Sequence, residues 1–407
     1  MSYLLFIDLI KKKILKIVLF FNFSVFNFLL KKYFKIEIYN FISLDNLDNK
    51  LLKNVEIINR HKEKYFYTLP SFWNYNKIEI PSTINKKVKE LKLYSAQIFG
   101  NSNLILLDKN VIYQQKFDFK DSNYIFLDGG FLVYNSKRCI VKPHKNIKKI
   151  NQGINLTANF SWNYFHLIYE VISKFYYINN SDLYDNIPIL IDKIILQVPQ
   201  YKQILDLINS KNLPIVTIEK EQRIEVKELY ELPNTFLSPP GYKNIKKMLG
   251  SDTCFNRATV NFLRTELLKF KTNTVFPKRI FLSRKNASSR RSYNEMEVSN
   301  CLVKYGFTKV YTEELSISDQ MTLFNEAEYI AGTTGAAFSN ILFCKPNCKI
   351  ICFTNYKLPL TIFSSIADFV GAEMIYFYDE NKKLHSSSDL HDNFNVQTEK
   401  IDTYFTA

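Results

Sequence analysis

Several patterns are missing from this 407-residue sequence, and each absence narrows what the chain can be. No Cys-x-x-Cys or His-x-His pair accompanies the six cysteines. Cys344, Cys348 and Cys352 are spaced by four, but the first should close a helix and the last should lie in a strand. One face does not hold all three, so they read as buried free thiols. With no disulfide framework, a reducing compartment fits. No helix-turn-helix, zinc-finger or single-strand-binding pattern occurs, so a formal net charge of +15 does not point to nucleic acid. Glycine is scarce, at 10, and no internal repeat or long low-complexity region is present. No small-residue cleavage site follows the apolar N-terminal run, which argues against a removable signal peptide.

What is present is a large apolar reserve. Hydrophobic residues make up 46% and aromatic residues 15%, enough for two or three packed domains. The abundance of Lys, Asn, Ile and Phe reads as a coding bias. The N-terminus is distinctive. Ile14 to Leu30 is an apolar run whose only charge is Lys16, interrupted by Asn22, Ser24 and Asn27 and flanked by Lys11, Lys12 and Lys13 and by Lys31, Lys32 and Lys35. Over residues 1–39, seven lysines face only Asp8 and Glu37. The run is short for a membrane span. An in-plane helix whose lysines reach anionic head groups is the preferred reading, with docking on the globule and a true span as the alternatives. Residues 40–60 read as a linker.

The second half carries the clearest architecture. A strand, Ile280 to Ser283, runs into the cationic loop Arg284-Lys285-Asn286-Ala287-Ser288-Ser289-Arg290-Arg291. Asn294 and Glu297 have capping-box spacing for a helix with Met296, Cys301, Leu302 and Tyr305 on its apolar face. A strand (Thr308 to Tyr311) follows. Then comes a helix capped by Ser316 or Ser318, with Met321, Leu323, Phe324 and Ala327 inward. Tyr329 to Gly332 is a buried strand that empties into the small-residue turn Thr333-Thr334-Gly335-Ala336-Ala337 and a third helix. Lys349 to Phe353 is another strand. This alternation implies a parallel sheet covered on both faces. In such a sheet ligands bind beyond the carboxyl ends of the strands, where Arg284 and the Thr333 to Ala337 turn fall. Small residues, a helix N-terminus and Arg284, Lys285, Arg290 and Arg291 together suit a diphosphate. A solvated basic loop beside an ordinary turn is the plainer alternative.

The first half is also α/β, with a β-rich opening. Ser95 to Asp108 and Tyr124 to Tyr134 read as strands, with a hairpin signal at Asp128-Gly129-Gly130. Ile187 to Ile191, Ile194 to Val198, Leu213 to Ile218 and Glu225 to Leu232 read as strands, and Tyr201 to Lys211 and Asp252 to Phe270 as helices. Its chemical stretch is Asn163-Tyr-Phe-His166-Leu-Ile-Tyr-Glu170. On a helix running to about Ile178, Tyr164, Ile168, Val171 and Phe175 form the apolar stripe. Asn163, His166, Glu170 and Lys174 fall on the other side, so His166 and Glu170 can touch. A carboxylate beside a histidine orients the ring, as a general base requires. A purely structural His166 is the alternative. After Phe353, Ile362 to Val370 reads as a helix, Met374 to Tyr378 as a strand, and Ser386 to Ala407 as polar and weakly patterned.

The blocks Arg279 to Arg284, Tyr311 to Leu315, Gln320 and Ala327 to Phe343, taken in order, resemble the catalytic domain of glycosyltransferase family 61. Asn163 to His166, with Glu170 four residues on, resembles a further block, and the resemblance runs roughly from Asp128 to Phe353. The family's last block commonly reads Gly, then His-Gly-Ala-Gly, then a helix carrying Asn. Here Thr334 stands where the His is common and Ala337 where the second Gly is common. Both departures keep the site small, and the first removes any role of that His side chain with the donor.

The resemblance implies an α/β fold of two Rossmann-like domains facing across a cleft, the GT-B type. Residues 55–250 would form the acceptor side and 271–385 the nucleotide-sugar side. Residues 1–39 would be the basic apolar helix and 386–407 a polar tail. It also implies sugar transfer from a nucleotide-sugar, UDP-linked, to a glycan or lipid-linked glycan hydroxyl with inversion. In that reading His166, or Glu170 through it, takes the acceptor proton, and Asn163 lies on the acceptor side. Arg284, Arg290, Arg291, Thr333, Thr334, Gly335, Ala336 and Asn340 hold the donor, with Glu313 or Glu314 on its ribose. No Asp-x-Asp occurs in the second half, so no metal or other cofactor is expected. Composition and setting point to capsule or O-antigen synthesis at the inner face of the plasma membrane, with anionic lipid as a partner. The rival readings are a non-catalytic nucleotide-sugar or glycan binder and a basic membrane-attached scaffold.

Overall fold

A computed structural model describes residues 37–43, 54–74, 81–113, 128, 130–134, 138–141, 147–239, 241–242, 244–284, 292–358, 360–382 and 392–407. The apolar run 14–30 and the cations Lys285, Arg290 and Arg291 therefore lie outside the described residues. The fold is mixed α/β, built on two sheets.

The five-stranded sheet is parallel throughout. Its strands in chain order are Arg279–Leu282, Thr308–Val310, Tyr329–Thr333, Lys349–Thr354 and Glu373–Tyr378. Their order across the sheet is 2-1-3-4-5. Each strand is apolar on both sides because helices cover both faces. On one face Phe281, Ala331 and Phe353 pack on Val298, Leu302 and Ile401. On the other, Ile280, Ile330 and Cys352 pack on Met321, Phe324, Phe338 and Ile366.

Among the described residues, the larger sheet has thirteen strands. One side of it is parallel: Ile215–Ile218, Ile189–Asp192, Lys148–Asn155 and Arg223–Glu231. Arg223–Glu231 then pairs antiparallel with the long strand Ser82–Phe99. That strand in turn pairs with Val55–Tyr67 over most of its length. The chain segment bearing His166 is the crossover between Lys148–Asn155 and Ile189–Asp192.

Each sheet has a buried cluster of its own, and a further one joins them. The joining cluster runs from Ile154 and Phe165 through Phe255 to Phe338 and Cys352. A backbone stitch adds to it. Phe72 makes a parallel bridge to Tyr376, with Tyr376 N–H donating to Ser71 O and Trp73 N–H to Tyr376 O, each at 2.9 Å. Trp73 stacks on Phe377. Residues from the first half thus lengthen the outer edge of the five-stranded sheet.

Several expectations need correction. Ile194–Gln197 is a helix, not a strand. A short apolar run has no period that separates the two, and Pro199 starts the next helix immediately after it. Residues 40–43 and 55–60 are strand rather than linker, because Glu37–Ser43 fills a slot between Asn110–Tyr113 and Arg138–Val141. Met296 is exposed, and Val298 takes the inward place beside Cys301 and Leu302. Asn294 does not cap its own helix. Its amide accepts from Val396 N–H at 2.8 Å and donates to Val396 O at 3.0 Å, holding the C-terminal segment. The stretch read as a polar tail ends in the helix Thr398–Thr406, with Ile401 fully buried and Phe405 stacked on Tyr305. All six cysteines are buried and free, as expected. Among the described residues, no helix is long and apolar enough to cross a membrane.

Candidate functional site

The site is assembled where parallel strands of both sheets end. In the larger sheet, the chain leaves Lys148–Asn155 and turns through residues 156–163 into the His166 helix. Asp192, at the end of the neighbouring strand and fully buried, shapes this turn. Its carboxylate accepts from Asn101 N–H at 2.6 Å and from Ala158 N–H at 3.0 Å. Burial pushes the Asp192 carboxyl up to about 6. Asn163 then caps the helix, its side-chain oxygen accepting from Phe165 N–H at 3.0 Å.

The helix is not regular. Tyr164–His166 is α, Leu167–Val171 a π turn, Ile172–Lys174 a 3-10 turn, and Phe175–Asn179 α again. The wide turn lets Leu167, Ile168, Tyr169, Val171 and Ile172 all be buried. His166 and Glu170 stay on its outer side, with Nδ1 of His166 at 2.8 Å from Glu170 Oε1. The imidazole is wedged against the rings of Phe160 and Phe165. Lys174, one turn on, is buried and lies 3.6 Å from Glu231 Oε1.

In the five-stranded sheet, the order 2-1-3-4-5 puts the switch point between Arg279–Leu282 and Tyr329–Thr333. Gly332, next to the last residue of the second of these, is tightly packed. A Cβ there would lie 3.0 Å from Phe338 and 3.1 Å from Leu282. Thr334 N–H donates to Phe353 O at 3.1 Å, and the turn enters the short 3-10 helix Ala336–Phe343. Arg284, just past its strand, reaches across the switch point. Its Nη1 donates to Thr334 O at 3.2 Å, and its backbone N–H donates to Glu295 Oε2 at 3.1 Å.

Tyr164 and Tyr169 join the two halves. The Tyr164 hydroxyl donates to Asn340 Oδ1 at 2.6 Å, and the Tyr169 hydroxyl to Ser339 O at 3.1 Å. His166 and the turn Thr334-Gly335-Ala336 consequently face the same cleft of about 250 Å³. Aromatic walls come from Phe72, Phe165, Tyr356, Phe363 and Tyr376. Thr354 also lines it, and its buried hydroxyl has no hydrogen-bond partner among the described residues.

Comparison with known families bears on this same stretch. The family model described as Glycosyltransferase 61 matches residues 164–351. Over those residues the chain is similar to glycosyltransferase family 61. That makes a glycosyltransferase, with a sugar donor and an acceptor, the general reading of the chain. No curated protein matches it.

The stretch matched by the glycosyltransferase 61 model begins at the first residue of the His166 helix and ends within the strand Lys349–Thr354. Of the residues singled out from sequence, Asn163, His166, Thr334, Gly335 and Ala336 line the cleft, and Arg284 and Glu170 stand directly behind members of that group. Three do not reach it. Asn340 is fully buried and its amide is committed, accepting from Tyr164 and donating to Gln320 Oε1 at 2.8 Å. It fixes the turn from behind rather than touching a donor. Thr333 is buried beneath the turn, its hydroxyl without a partner among the described residues. Glu314 is exposed in the 3-10 turn Thr312–Glu314 and does not line the cleft. Among the described residues, no group of three or more His, Cys, Asp or Glu side chains is arranged to hold a metal.

The sequence reading missed Asp192, Thr354, Tyr356 and the aromatic walls. Asp192 and Thr354 share a legible signal, a polar residue at the carboxyl end of a parallel strand. Phe72 carried none, because only the long-range bridge to Tyr376 brings it in.

Proposed function

We propose that this chain is an inverting glycosyltransferase that moves a sugar from a UDP-sugar to a glycan or lipid-linked glycan hydroxyl. The observation that carries the reading is the His166–Glu170 pair opening onto the cleft that the Arg284-backed turn also lines. Glu170 accepts from Nδ1–H of His166, which leaves Nε2 as the basic nitrogen. The acceptor oxygen gives its proton to Nε2 and attacks the anomeric carbon. The bond from that carbon to the diphosphate oxygen breaks, and UDP leaves from the opposite face with the electron pair. Arg284 and the N–H groups of the turn offset the charge that develops on the diphosphate.

Two halves facing one cleft suit a GT-B arrangement, the 271–385 half holding the nucleotide and the 55–250 half the acceptor. The lack of an Asp-x-Asp motif in the second half favours a metal-independent reaction, with cations and backbone N–H groups in the metal's place. The basic apolar segment 1–39 favours work at the anionic inner face of a plasma membrane, on a capsule or O-antigen glycan. Arg290 and Arg291 would add to the charge around the donor.

Thermal stabilisation of the full chain by a nucleotide panel tests the donor site. A ligand at 100 times its Kd adds about 2.7 kcal/mol. A shift with UDP that Arg284→Ala abolishes supports the reading, and no shift with any nucleotide overturns it. Turnover of a UDP-sugar with EDTA present separates an enzyme from a binder, and strict Mn²⁺ dependence would refute the metal-independent step.

A further inference from the structure

Trp162 stands out beside the cleft. Among the described residues, two aromatic side chains are open to solvent, Trp162 at 48% and Phe270 at 38%. A single exposed apolar residue is ordinary on a protein surface. Trp162 differs in its surroundings. It lies four residues before His166 and directly before Asn163, and both of these line the cleft. Its ring meets Phe160 edge to face, with centroids 6.3 Å apart. Phe160 lies in turn against the imidazole of His166, with centroids 5.0 Å apart. The three rings make a strip that runs from His166 out to solvent.

The turn that presents the indole is held from several sides. Asn163 N–H donates to Phe160 O at 2.8 Å, and the Tyr201 hydroxyl donates to Trp162 O at 2.9 Å. The Asn101 side-chain amide donates to Ser161 Oγ at 2.9 Å. At the start of the same turn, Ala158 N–H is fixed by Asp192. With its backbone held and one edge packed on Phe160, the indole has little freedom left to lose when a ligand covers its open face.

These features restrict the ligand. A broad, flat indole favours a partner with a flat apolar face. The nearby groups of the cleft, the His166 imidazole and the Asn163 amide, favour a partner that also carries hydroxyls. A pyranose ring has both, with C–H groups on its face and hydroxyls around its rim. A nucleobase also has a flat face, but the nucleotide is assigned to the five-stranded sheet, across the cleft from Trp162. We infer that Trp162 is an acceptor platform, stacking on a sugar adjacent to the one whose hydroxyl meets His166. This rests on the glycosyltransferase reading of the cleft, and it makes the acceptor an oligosaccharide chain and not a single sugar.

The test is fluorescence titration of the full chain, which has two tryptophans. Trp73 is stacked on Phe377 and edge-on to Tyr404, so a glycan-induced change in emission reports on Trp162. The probes are cellotetraose, xylotetraose, maltotetraose and chitotetraose, each beside its monosaccharide. At least one tetrasaccharide should shift the emission to the blue and bind about ten-fold or more tighter than its monosaccharide. Trp162→Ala, followed by calorimetry, should weaken that binding about ten-fold or more, the scale of a lost tryptophan anchor. Trp162→Tyr keeps a ring and should bind within several-fold of the parent. Four results would each overturn the inference. They are no binding by any tetrasaccharide, equal binding by the monosaccharide, unaltered binding by Trp162→Ala, and loss of the UDP melting shift in that variant, which would put the base on the indole. The parent's own UDP shift keeps the two readings apart. A UDP shift without glycan binding sinks the platform alone, and glycan binding without a UDP shift supports the platform and sinks the donor site.

Discussion

The hydroxyl of Tyr164 and the side-chain oxygen of Asn340 meet at 2.6 Å, and through them the helix that carries His166 is fastened to the turn that faces it. Asn340 also donates to Gln320, whose own amide donates to Thr312 O at 2.8 Å. Asn340→Ala strands the Tyr164 hydroxyl and the Gln320 amide in a dry place. The expected loss is about 2–4 kcal/mol, since an unsatisfied buried group costs about 1–3 kcal/mol. Tyr164→Phe strands one buried acceptor, Asn340 Oδ1, where Asn340→Ala strands two groups, and should cost about half as much, about 1–2 kcal/mol. Chemical denaturation of both variants measures this, and equal losses would contradict the asymmetry.

His166→Ala should lower turnover by about 10² to 10⁴ while leaving nucleotide binding intact, the range for a lost general base. Glu170→Gln keeps a hydrogen-bond acceptor for Nδ1 but removes its charge, so it should fall between that variant and the parent. Steady-state kinetics beside nucleotide titration separates the two effects. A His166→Ala enzyme at full rate would remove His166 from the chemistry.

Two glycines three residues apart, Gly332 and Gly335, should behave differently. Gly332→Ala presses a methyl onto Phe338 and Leu282 and should cost about 1–3 kcal/mol. At Gly335 the backbone is extended, and a Cβ would meet nothing closer than Arg284 Nη1 at 3.7 Å. Gly335→Ala should therefore leave Tm within the small range of neutral substitutions yet weaken UDP binding, because the methyl enters the cleft. Melting curves with and without UDP distinguish the pair.

Asp192 gives the fold a pH dependence of definite sign. Its carboxyl ionises near 6 when folded and near 3.8 when free. The folded state thus holds a proton the unfolded chain has lost between those values. The stability this group contributes is full below about 3.8 and is lost as pH rises through about 6, a fall of about 3 kcal/mol at 1.36 kcal/mol per pH unit. Asp192→Asn should flatten the Tm profile between pH 4 and 6.5. Parallel profiles for variant and parent would rule this out.

Much of the second half was legible because a buried parallel sheet writes itself as short apolar runs separated by amphipathic helices. Ser316 was named as a cap, and its hydroxyl accepts from Asp319 N–H at 3.1 Å. Met321, Leu323, Phe324 and Ala327 are buried as their spacing required. The His166–Glu170 contact followed from helical neighbourhood, although the helix widens into a π turn between them. What failed was non-local. Asn294 had the spacing of a cap but is claimed by Val396, and Asn340 looked like a ligand but is claimed by Tyr164 and Gln320. A short polar side chain has several uses, and only the tertiary partner decides among them. The strand Glu37–Ser43, paired on both sides, and the bridge at Phe72 depend on pairings that no local pattern encodes.

The bridge from Phe72 to Tyr376 bears on whether this molecule can be taken apart. A nucleotide half cut out at residue 271 would leave Glu373–Tyr378 as a bare sheet margin, with the ring of Phe377 stripped of Trp73. Such margins recruit other chains. The half that looks most like a portable cassette should therefore clump when expressed alone, and swapping it between relatives would require carrying residues 71–73 along with it.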